Sequence, residues 1–124
     1  MTNTSTYTKE GKQLYFEGKF LEAIKNFNKA IELDPELLDS WLFRGTCKYF
    51  LDQYEEAIKD LDKAIELDPE RLDSWHFRGL CKYFLDQYEE SIKDFDKAIE
   101  LDPELSESWN FRGTCKYWLN QYEE

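Results

Sequence analysis

The sequence is short of basic residues, with 16 Lys and Arg against 27 Asp and Glu and a net charge of -11. Nucleic acids and anionic membrane surfaces bind clustered cations, so this balance argues against both as partners and permits basic or neutral ones. No apolar run approaches the roughly 20 residues of a membrane span. Residues 1–8 are polar and lack the apolar core of a signal peptide. These absences predict a cytoplasmic protein that is not inserted in a membrane.

Residues for catalysis and metal binding are also scarce. His76 is the single histidine, and the three cysteines, Cys47, Cys81 and Cys115, are spaced 34 residues apart. Equivalent positions of stacked helical units lie roughly 8–10 Å apart, whereas a disulfide needs Cα atoms within about 7 Å. The favoured interpretation is therefore three small buried thiols, with a disulfide or a zinc site as the alternatives. No nucleophile–base pair or phosphate-binding loop stands out, so we predict no enzyme and no cofactor.

What the sequence does have is an internal repeat of 34 residues. The stretch W-x-F-R-G-x-C-K-Y begins at Trp41 and returns at Trp75 and Trp109. A weaker copy precedes them, with Tyr7, Gly11, Tyr15 and Phe20 in matching places. A period of this size indicates a solenoid of stacked supersecondary units.

Each period reads as two helices joined by a tight turn. Apolar residues recur at helical spacing on both sides of the turn, and the second helix stops at an Asp-Pro pair, because the residue before proline is disfavoured in a helix. The turn position holds residue types that tolerate a left-handed backbone, namely Gly18, Asp52, Asp86 and Asn120. The pattern predicts an all-α protein of about seven helices.

Small and charged residues indicate how the helices pack. A glycine lies in the middle of each first helix (Gly11, Gly45, Gly79 and Gly113), where it costs about 1 kcal/mol relative to alanine. We expect the second helix to approach closely there and to present Ala23, Ala57 and Ser91. The preceding residue is an arginine in the last three copies (Arg44, Arg78 and Arg112), and Asp60 and Asp94 are its expected carboxylate partners.

These residues closely resemble the tetratricopeptide repeat, in the variant that carries Arg-Gly. Trp41, Gly45, Ala57, Ala64 and Pro69 match its pattern. The resemblance implies an α-solenoid of antiparallel helix pairs in a right-handed superhelix. Its repeats would span 4–37, 38–71 and 72–105, with the first helix of an incomplete fourth repeat at 106–124. It also implies no catalysis and a concave groove, lined by the first helices, that binds a peptide or partner segment. One subset of the family grips chaperone C-terminal carboxylates, but the matching positions here are Thr8, Lys12, Phe43, Asp73 and Phe77, of which only Lys12 suits that role.

Differences between the repeats indicate which residues of the first helices line the groove. Residues 38–71 and 72–105 differ at five positions, of which Leu42/His76 and Thr46/Leu80 share one face of the first helix. We expect this variable stripe to be exposed, flanked by phenylalanine and tyrosine ladders and by an acidic rim at Asp39, Asp73 and Glu107. The predicted groove comprises Lys12, Leu42, Phe43, Thr46, Tyr49, Phe50, Asp73, His76, Phe77, Leu80, Tyr83, Phe84, Asn110, Phe111, Thr114, Tyr117 and Trp118. Its expected ligand is a protein or peptide with apolar side chains and some Lys or Arg.

Two further expectations concern the whole array. The alternative to a peptide-binding module is a structural spacer or scaffold, a segment of a longer solenoid with no ligand of its own. The fourth copy has no second helix in this sequence, so one apolar face of its helix should be open. That face can stack end to end against the N-terminal repeat of another copy.

Overall fold

The computed structural model describes residues 3–123 of the chain and the side chains of residues 3–121. Over that range it has seven α-helices and no strand: α1 Thr4–Phe16, α2 Phe20–Leu33, α3 Leu38–Phe50, α4 Tyr54–Leu67, α5 Leu72–Phe84, α6 Tyr88–Leu101 and α7 Ser106–Glu123. Met1 and Thr2, from the polar N-terminal stretch, and Glu124, from the predicted incomplete repeat, lie outside the described residues. None of the described helices has the length and apolar character that crossing a membrane requires.

The helices form consecutive pairs, α1–α2, α3–α4 and α5–α6, and α7 packs on α6. The turns inside the pairs have the predicted left-handed residue, with φ of 78° at Gly18, 62° at Asp52 and 63° at Asp86. The same prediction is wrong for Asn120, because α7 continues through it to Glu123. The described chain has no second helix after α7 to fold back, so nothing there requires a turn.

The turns between the pairs are built by the Asp-Pro-Glu triplets. The Asp34 carboxylate accepts a hydrogen bond from the Glu36 amide at 3.1 Å. The indole Nε1 of Trp41 donates to the Pro35 carbonyl at 2.8 Å. Both bonds recur one and two periods later. The repeated tryptophan thus ties the start of each first helix to the turn before it.

The mid-helix glycines mark the closest approach inside each pair, as predicted. A Cβ added at Gly11 would lie 2.7 Å from the Phe27 ring, and one added at Gly79 would lie 2.9 Å from the Phe95 ring. The approaching group is thus a large side chain one turn beyond the predicted alanine or serine. Gly113 differs, since a Cβ there would meet nothing within 4 Å.

Buried ion pairs join the two helices of the second and third helix pairs, next to these glycines. Arg44 Nε and Nη2 donate to both carboxylate oxygens of Asp60 at 2.9 and 2.8 Å, and Lys48 Nζ lies 3.0 Å from Asp60 Oδ2. Arg78, Lys82 and Asp94 repeat this arrangement one period later. The predicted Arg–Asp partners are confirmed, and the lysine is a further member of each cluster that was not predicted.

The three cysteines are free thiols with no solvent exposure, which confirms that they fill buried gaps. Burial raises the pKa of the Cys47 and Cys81 thiols to about 12 and also raises that of Cys115. The thiolate forms that react or bind metals are therefore strongly disfavoured at neutral pH.

Candidate peptide-binding groove

The first helices of successive repeats lie side by side and are joined by aromatic rings. Tyr15 packs edge-on against Phe43 with ring centroids 5.1 Å apart, and Tyr49 packs in the same way against Phe77 at 5.6 Å. Tyr83 and Phe111 continue the series at 5.4 Å. The rings are half-buried, so they serve both the stack and the surface that the first helices present.

The variable stripe is not exposed in the second and third repeats, so this prediction is wrong. Leu42 and Thr46 are each 2% exposed, and His76 and Leu80 are each 5% exposed. These side chains lie between one first helix and the next, where Leu42 belongs to a core cluster with Cys81 and Phe77. His76 Nδ1 shares a 2.8 Å hydrogen bond with the Ser108 hydroxyl. The variation at these positions therefore concerns packing between repeats.

At the fourth copy the same positions lie in another environment. Asn110 is exposed and Thr114 is half-buried, because no further first helix follows α7 in the described chain. Their neighbours Tyr117 and Trp118 are exposed, whereas Phe111 is half-buried against α5 and α6.

An exposed aromatic ring lies at the same repeat position in every first helix, which is the last residue of α1, α3 and α5. Phe50 and Phe84 are each 46% exposed and Trp118 is 38% exposed. Phe16, at the same place in the first repeat, is 76% exposed and was absent from the predicted set. One face of the Phe50 ring stacks on Phe20 at 4.9 Å, which leaves the rest of the ring accessible. Phe16 lies 34 residues before Phe50, so the repeat spacing is the signal in the sequence that identifies it.

A cavity of about 350 Å³ opens between the first helices of repeats 1, 2 and 3. Five of the predicted groove residues line it together: Leu42, Phe43, Thr46, Asp73 and Phe77. Tyr15, Phe16 and Arg71 complete the lining and were not in the predicted set. Leu42 and Thr46 therefore help to form this cavity although they expose little of their own surface.

A larger opening of about 670 Å³ lies at the N-terminal end of the same side. It is lined by Thr4, Ser5, Thr8, Lys9, Lys12, Leu37, Leu38 and Asp39. Lys12 connects the two openings, because its ammonium lies 5.2 Å from the centre of the Phe43 ring.

The predicted acidic rim is largely neutralised by cations. Arg71 Nη1 lies 3.3 Å from Asp39, and Arg71 Nε lies 3.2 Å from Asp73. Lys12 forms a second ion pair with Asp39. Lys12, the one residue suited to a carboxylate clamp, is thus engaged with Asp39, and the pairs make this part of the groove polar with little net charge.

The third member of the predicted rim, Glu107, keeps a mostly exposed side chain and reaches His76 Nε2 at 3.5 Å. Burial lowers the pKa of His76, while the charges of Glu107 and Asp73 oppose that shift. The imidazole is therefore held neutral at physiological pH, as a packed and hydrogen-bonded side chain. No group of three His, Cys, Asp or Glu side chains in the described part of the chain is placed to hold a metal ion.

Comparisons with known proteins agree with this geometry. Sequence profiles described as "Tetratricopeptide repeat" match residues 5–37, 38–71 and 72–105. A search of curated proteins found no match.

Solved structures match closely in fold. The first TPR of Spaghetti (RPAP3), bound to HSP90 peptide SRMEEVD, is 24% identical with a TM-score of 0.92 and covers 95% of this chain and 94% of its own. The second TPR domain of human RPAP3, in complex with HSP70 peptide SGPTIEEVD, is 26% identical with a TM-score of 0.84 over 89% of this chain and 92% of its own. MamA is 23% identical with a TM-score of 0.92 over 95% and 69%. The predicted solenoid of antiparallel helix pairs is confirmed.

Proposed function

Because this chain belongs to the tetratricopeptide repeat family, we propose that it is a protein-interaction module that binds a peptide on the side lined by its first helices. The observation that carries the proposal is the cavity between the first three of these helices. It combines the exposed ring of Phe16 and the half-buried rings of Phe43 and Phe77 with the charged pair Arg71 and Asp73. Aromatic anchors beside polar groups are the composition that interfaces favour.

The partner is a peptide with apolar side chains and some Lys or Arg. The structurally similar RPAP3 domains are bound to peptides that end in Glu-Glu-Val-Asp. In this chain two of the positions that match the carboxylate clamp hold Asp73 and Phe77, which line the cavity on α5. A third holds Lys12, which is paired with Asp39. The cation that lines the cavity, Arg71, is already paired with Asp39 and Asp73, so an acidic C-terminus would find no free counter-ion there, and the chain carries a net charge of -11. Charge complementarity therefore favours a basic or neutral peptide over an acidic one.

The test is a selection from a random peptide library, followed by fluorescence anisotropy with the selected peptides. We expect apolar peptides with Lys or Arg and no measurable binding of SRMEEVD. Phe16→Ala should weaken the selected peptides about tenfold or more. Because Phe16 is so exposed, its loss should leave the fold intact. Leu33→Ala is the matched control, since Leu33 is an exposed residue of α2 that does not line the cavity.

Equal binding to the wild type and to Phe16→Ala would overturn the groove assignment, and tight binding of SRMEEVD would overturn the proposed preference for a basic or neutral peptide. Leu80, a member of the predicted set, is unsuitable for such a test. Its side chain is buried, so a charged substitution there would destabilise the repeat itself.

The alternative of a structural spacer predicts that no library peptide binds, because the groove would then serve only to stack the repeats. The absence of catalysis, the cytoplasmic location, the repeat boundaries and end-to-end association stay predictions.

A further inference from the structure

The exposed rings of the first helices form one surface that crosses all the repeats. We call this surface the aromatic row, and it comprises Phe16, Phe50, Phe84 and Trp118. A half-buried tyrosine lies between one exposed ring and the next. The Tyr49 ring, for example, contacts Phe50 with centroids 5.1 Å apart and Phe84 with centroids 6.1 Å apart. The exposed rings are therefore neighbours on a continuous aromatic surface.

The spacing of the aromatic row determines the period of any ligand that uses more than one ring. Helices that pack side by side have axes about 8–10 Å apart. The two centroid distances at Tyr49 limit the separation of Phe50 and Phe84 to their sum, about 11 Å. Tyr15 gives the same limit between Phe16 and Phe50. A ligand that places an equivalent side chain on each ring must therefore repeat every 8–11 Å or so.

Polyproline II is a peptide conformation with this period. It has three residues per turn and rises about 3.1 Å per residue, so every third side chain returns to the same face after about 9.3 Å. In a β-strand the side chains of one face recur after about 6.6 or 13 Å, and both values lie outside the range. An α-helix returns to one face after seven residues and about 10.5 Å. Its side chains three and four positions on would then meet the Tyr15 and Tyr49 rings, which already lie between the exposed rings.

The edge of the aromatic row that follows the turns inside the helix pairs is acidic. Tyr54 stacks on Phe84 with centroids 5.2 Å apart, and its hydroxyl donates to the Asp52 carboxylate at 2.9 Å. The Tyr88 hydroxyl donates to Asp86 at 2.8 Å one repeat later. Openings of about 280 and 340 Å³ lie beside these two turns. Each opening is lined by three acidic residues, which are Asp52, Glu55 and Glu56 in one and Asp86, Glu89 and Glu90 in the other.

Most of these carboxylates are available to a ligand. Glu56 and Glu90 pair with Lys59 and Lys93 of their own helices. The other four have no ion pair in the described part of the chain, and all four are exposed: Asp52, Glu55, Asp86 and Glu89. Unpaired carboxylates along one edge of an apolar surface favour a ligand with Lys or Arg beside its apolar residues.

We propose that the aromatic row binds a peptide in the polyproline II conformation, with proline at every third position and Lys or Arg between the prolines. Proline-rich peptides dock on aromatic surfaces, because their conformation is already formed and little conformational entropy is lost on binding. Each proline lies on one exposed ring, and the cations face the acidic turns. This inference rests on the proposed peptide-binding function and adds the conformation and the spacing of the ligand.

The probe is the ten-residue peptide PKAPKAPKAP, acetylated, amidated and fluorescently labelled. Its four prolines span about 28 Å in the polyproline II conformation, one for each ring of the row. Fluorescence anisotropy with the full chain should show saturable binding. A permuted peptide of the same composition, in which no two prolines are three residues apart, should bind at least about fivefold more weakly. PEAPEAPEAP, which has the same proline spacing and the opposite charge, should show no measurable binding.

Variants of the protein test the two parts of the site separately. Phe84→Ala should weaken PKAPKAPKAP about tenfold. Phe84 does not line the cavity between the first three first-helices, so this variant tests the aromatic row and not that cavity. Leu33→Ala, which removes an exposed apolar side chain elsewhere, should bind as the wild type does. Far-ultraviolet circular dichroism checks that each variant is folded at the assay temperature.

The acidic edge is tested by Glu55→Gln combined with Glu89→Gln. Both side chains are exposed and unpaired among the described residues, so the double variant should fold as the wild type does. It should weaken PKAPKAPKAP about threefold or more at low salt. The uncharged peptide PQAPQAPQAP should bind the double variant and the wild type equally.

The outcomes distinguish this inference from the function on which it rests. If library peptides bind and PKAPKAPKAP shows no saturable binding up to about 1 mM, the inference is refuted and the proposed function stands. If no peptide binds at all, both are refuted. Equal binding of the permuted peptide would contradict the three-residue period. Tighter binding of a stapled helix with leucine at every seventh position would show that the occupant is an α-helix and refute the polyproline II ligand.

Discussion

Asp94 and Asp96 lie two residues apart on α6, and both accept hydrogen bonds from an arginine, but their environments differ. The Asp94 side chain is 2% exposed and contacts Arg78 and Lys82, whereas that of Asp96 is 52% exposed and contacts Arg112. Asp94→Asn would keep the volume and remove the charge. It would leave two cationic groups, 17% and 14% exposed, without their shared counter-ion.

Breaking a buried pair by neutralising one partner costs about 3–5 kcal/mol in free energy of unfolding. Arg78 and Lys82 lie at the edge of the core, so they can turn partly towards water, and we expect about 3 kcal/mol. Asp96→Asn should cost at most about 1 kcal/mol, because an exposed pair contributes little. Urea titrations followed by far-ultraviolet circular dichroism measure both values. Lys82→Leu in the Asp94→Asn background should recover part of the loss, since it removes the cation that pairs with Asp94, whereas Arg78 keeps its pair with Asp62.

Equal losses for Asp94→Asn and Asp96→Asn would refute this reasoning, because the two variants differ mainly in burial. A loss below about 1 kcal/mol for Asp94→Asn would show that the cations are rehydrated without cost, so that the buried cluster contributes no more than a surface pair.

Three further predictions follow from burial and close packing. Gly79→Ala should lower the melting temperature, because the added Cβ would lie 2.9 Å from the Phe95 ring. Gly113→Ala should raise the melting temperature, because alanine stabilises the helix by up to about 1 kcal/mol and its Cβ meets no other atom. Burial lowers the pKa of His76, so the folded protein binds fewer protons at this residue than the unfolded chain does. The contribution of His76 to stability should therefore fall as pH drops below about 6.5. Urea titrations of wild type and His76→Leu across pH 4–8 should show this loss as a decreasing difference in free energy of unfolding. Burial raises the pKa of Cys47 and Cys81 to about 12, so these thiols should react with a disulfide reagent only when the repeats unfold. Cys115 should react first, because no helix covers the other side of α7 among the described residues. Rapid labelling of Cys47 in the native protein would contradict this expectation.

The sequence predicted the helix pairs well because each determinant of the fold is local and repeated. Gly18, Asp52 and Asp86 adopt the left-handed turns that their residue types favour. The Arg–Asp partners could be assigned because their spacing is constant in two copies. Asn120 has the same turn chemistry and does not turn, because a turn also requires a following helix to pack back. Residue type permits that turn, but tertiary packing decides whether it forms.

The groove was predicted less well, because variation between repeats was taken as a sign of exposure. Leu42 and His76 hold equivalent buried positions between first helices, where Leu42 packs in a cluster with Cys81 and Phe77 and His76 hydrogen-bonds to Ser108. Contacts between first helices join residues about 28 to 35 positions apart, such as Tyr15 with Phe43 and Tyr49 with Phe84. Helical periodicity within one repeat does not show them. Variation in this array therefore reports differences in stacking.

Constancy is the more informative property of the exposed surface. The stack uses this repeat position only in part, since Phe50 stacks on Phe20 at 4.9 Å whereas Phe16, its equivalent in the first repeat, is 76% exposed. Nevertheless all four copies place an aromatic residue there: Phe16, Phe50, Phe84 and Trp118. Exposed apolar area costs solubility, and soluble proteins keep large apolar patches chiefly where they bind something. Phe16 also lines the cavity between the first three first-helices. We therefore propose that this row of rings, rather than the buried variable stripe, is the surface on which a peptide in the groove gains most of its contact.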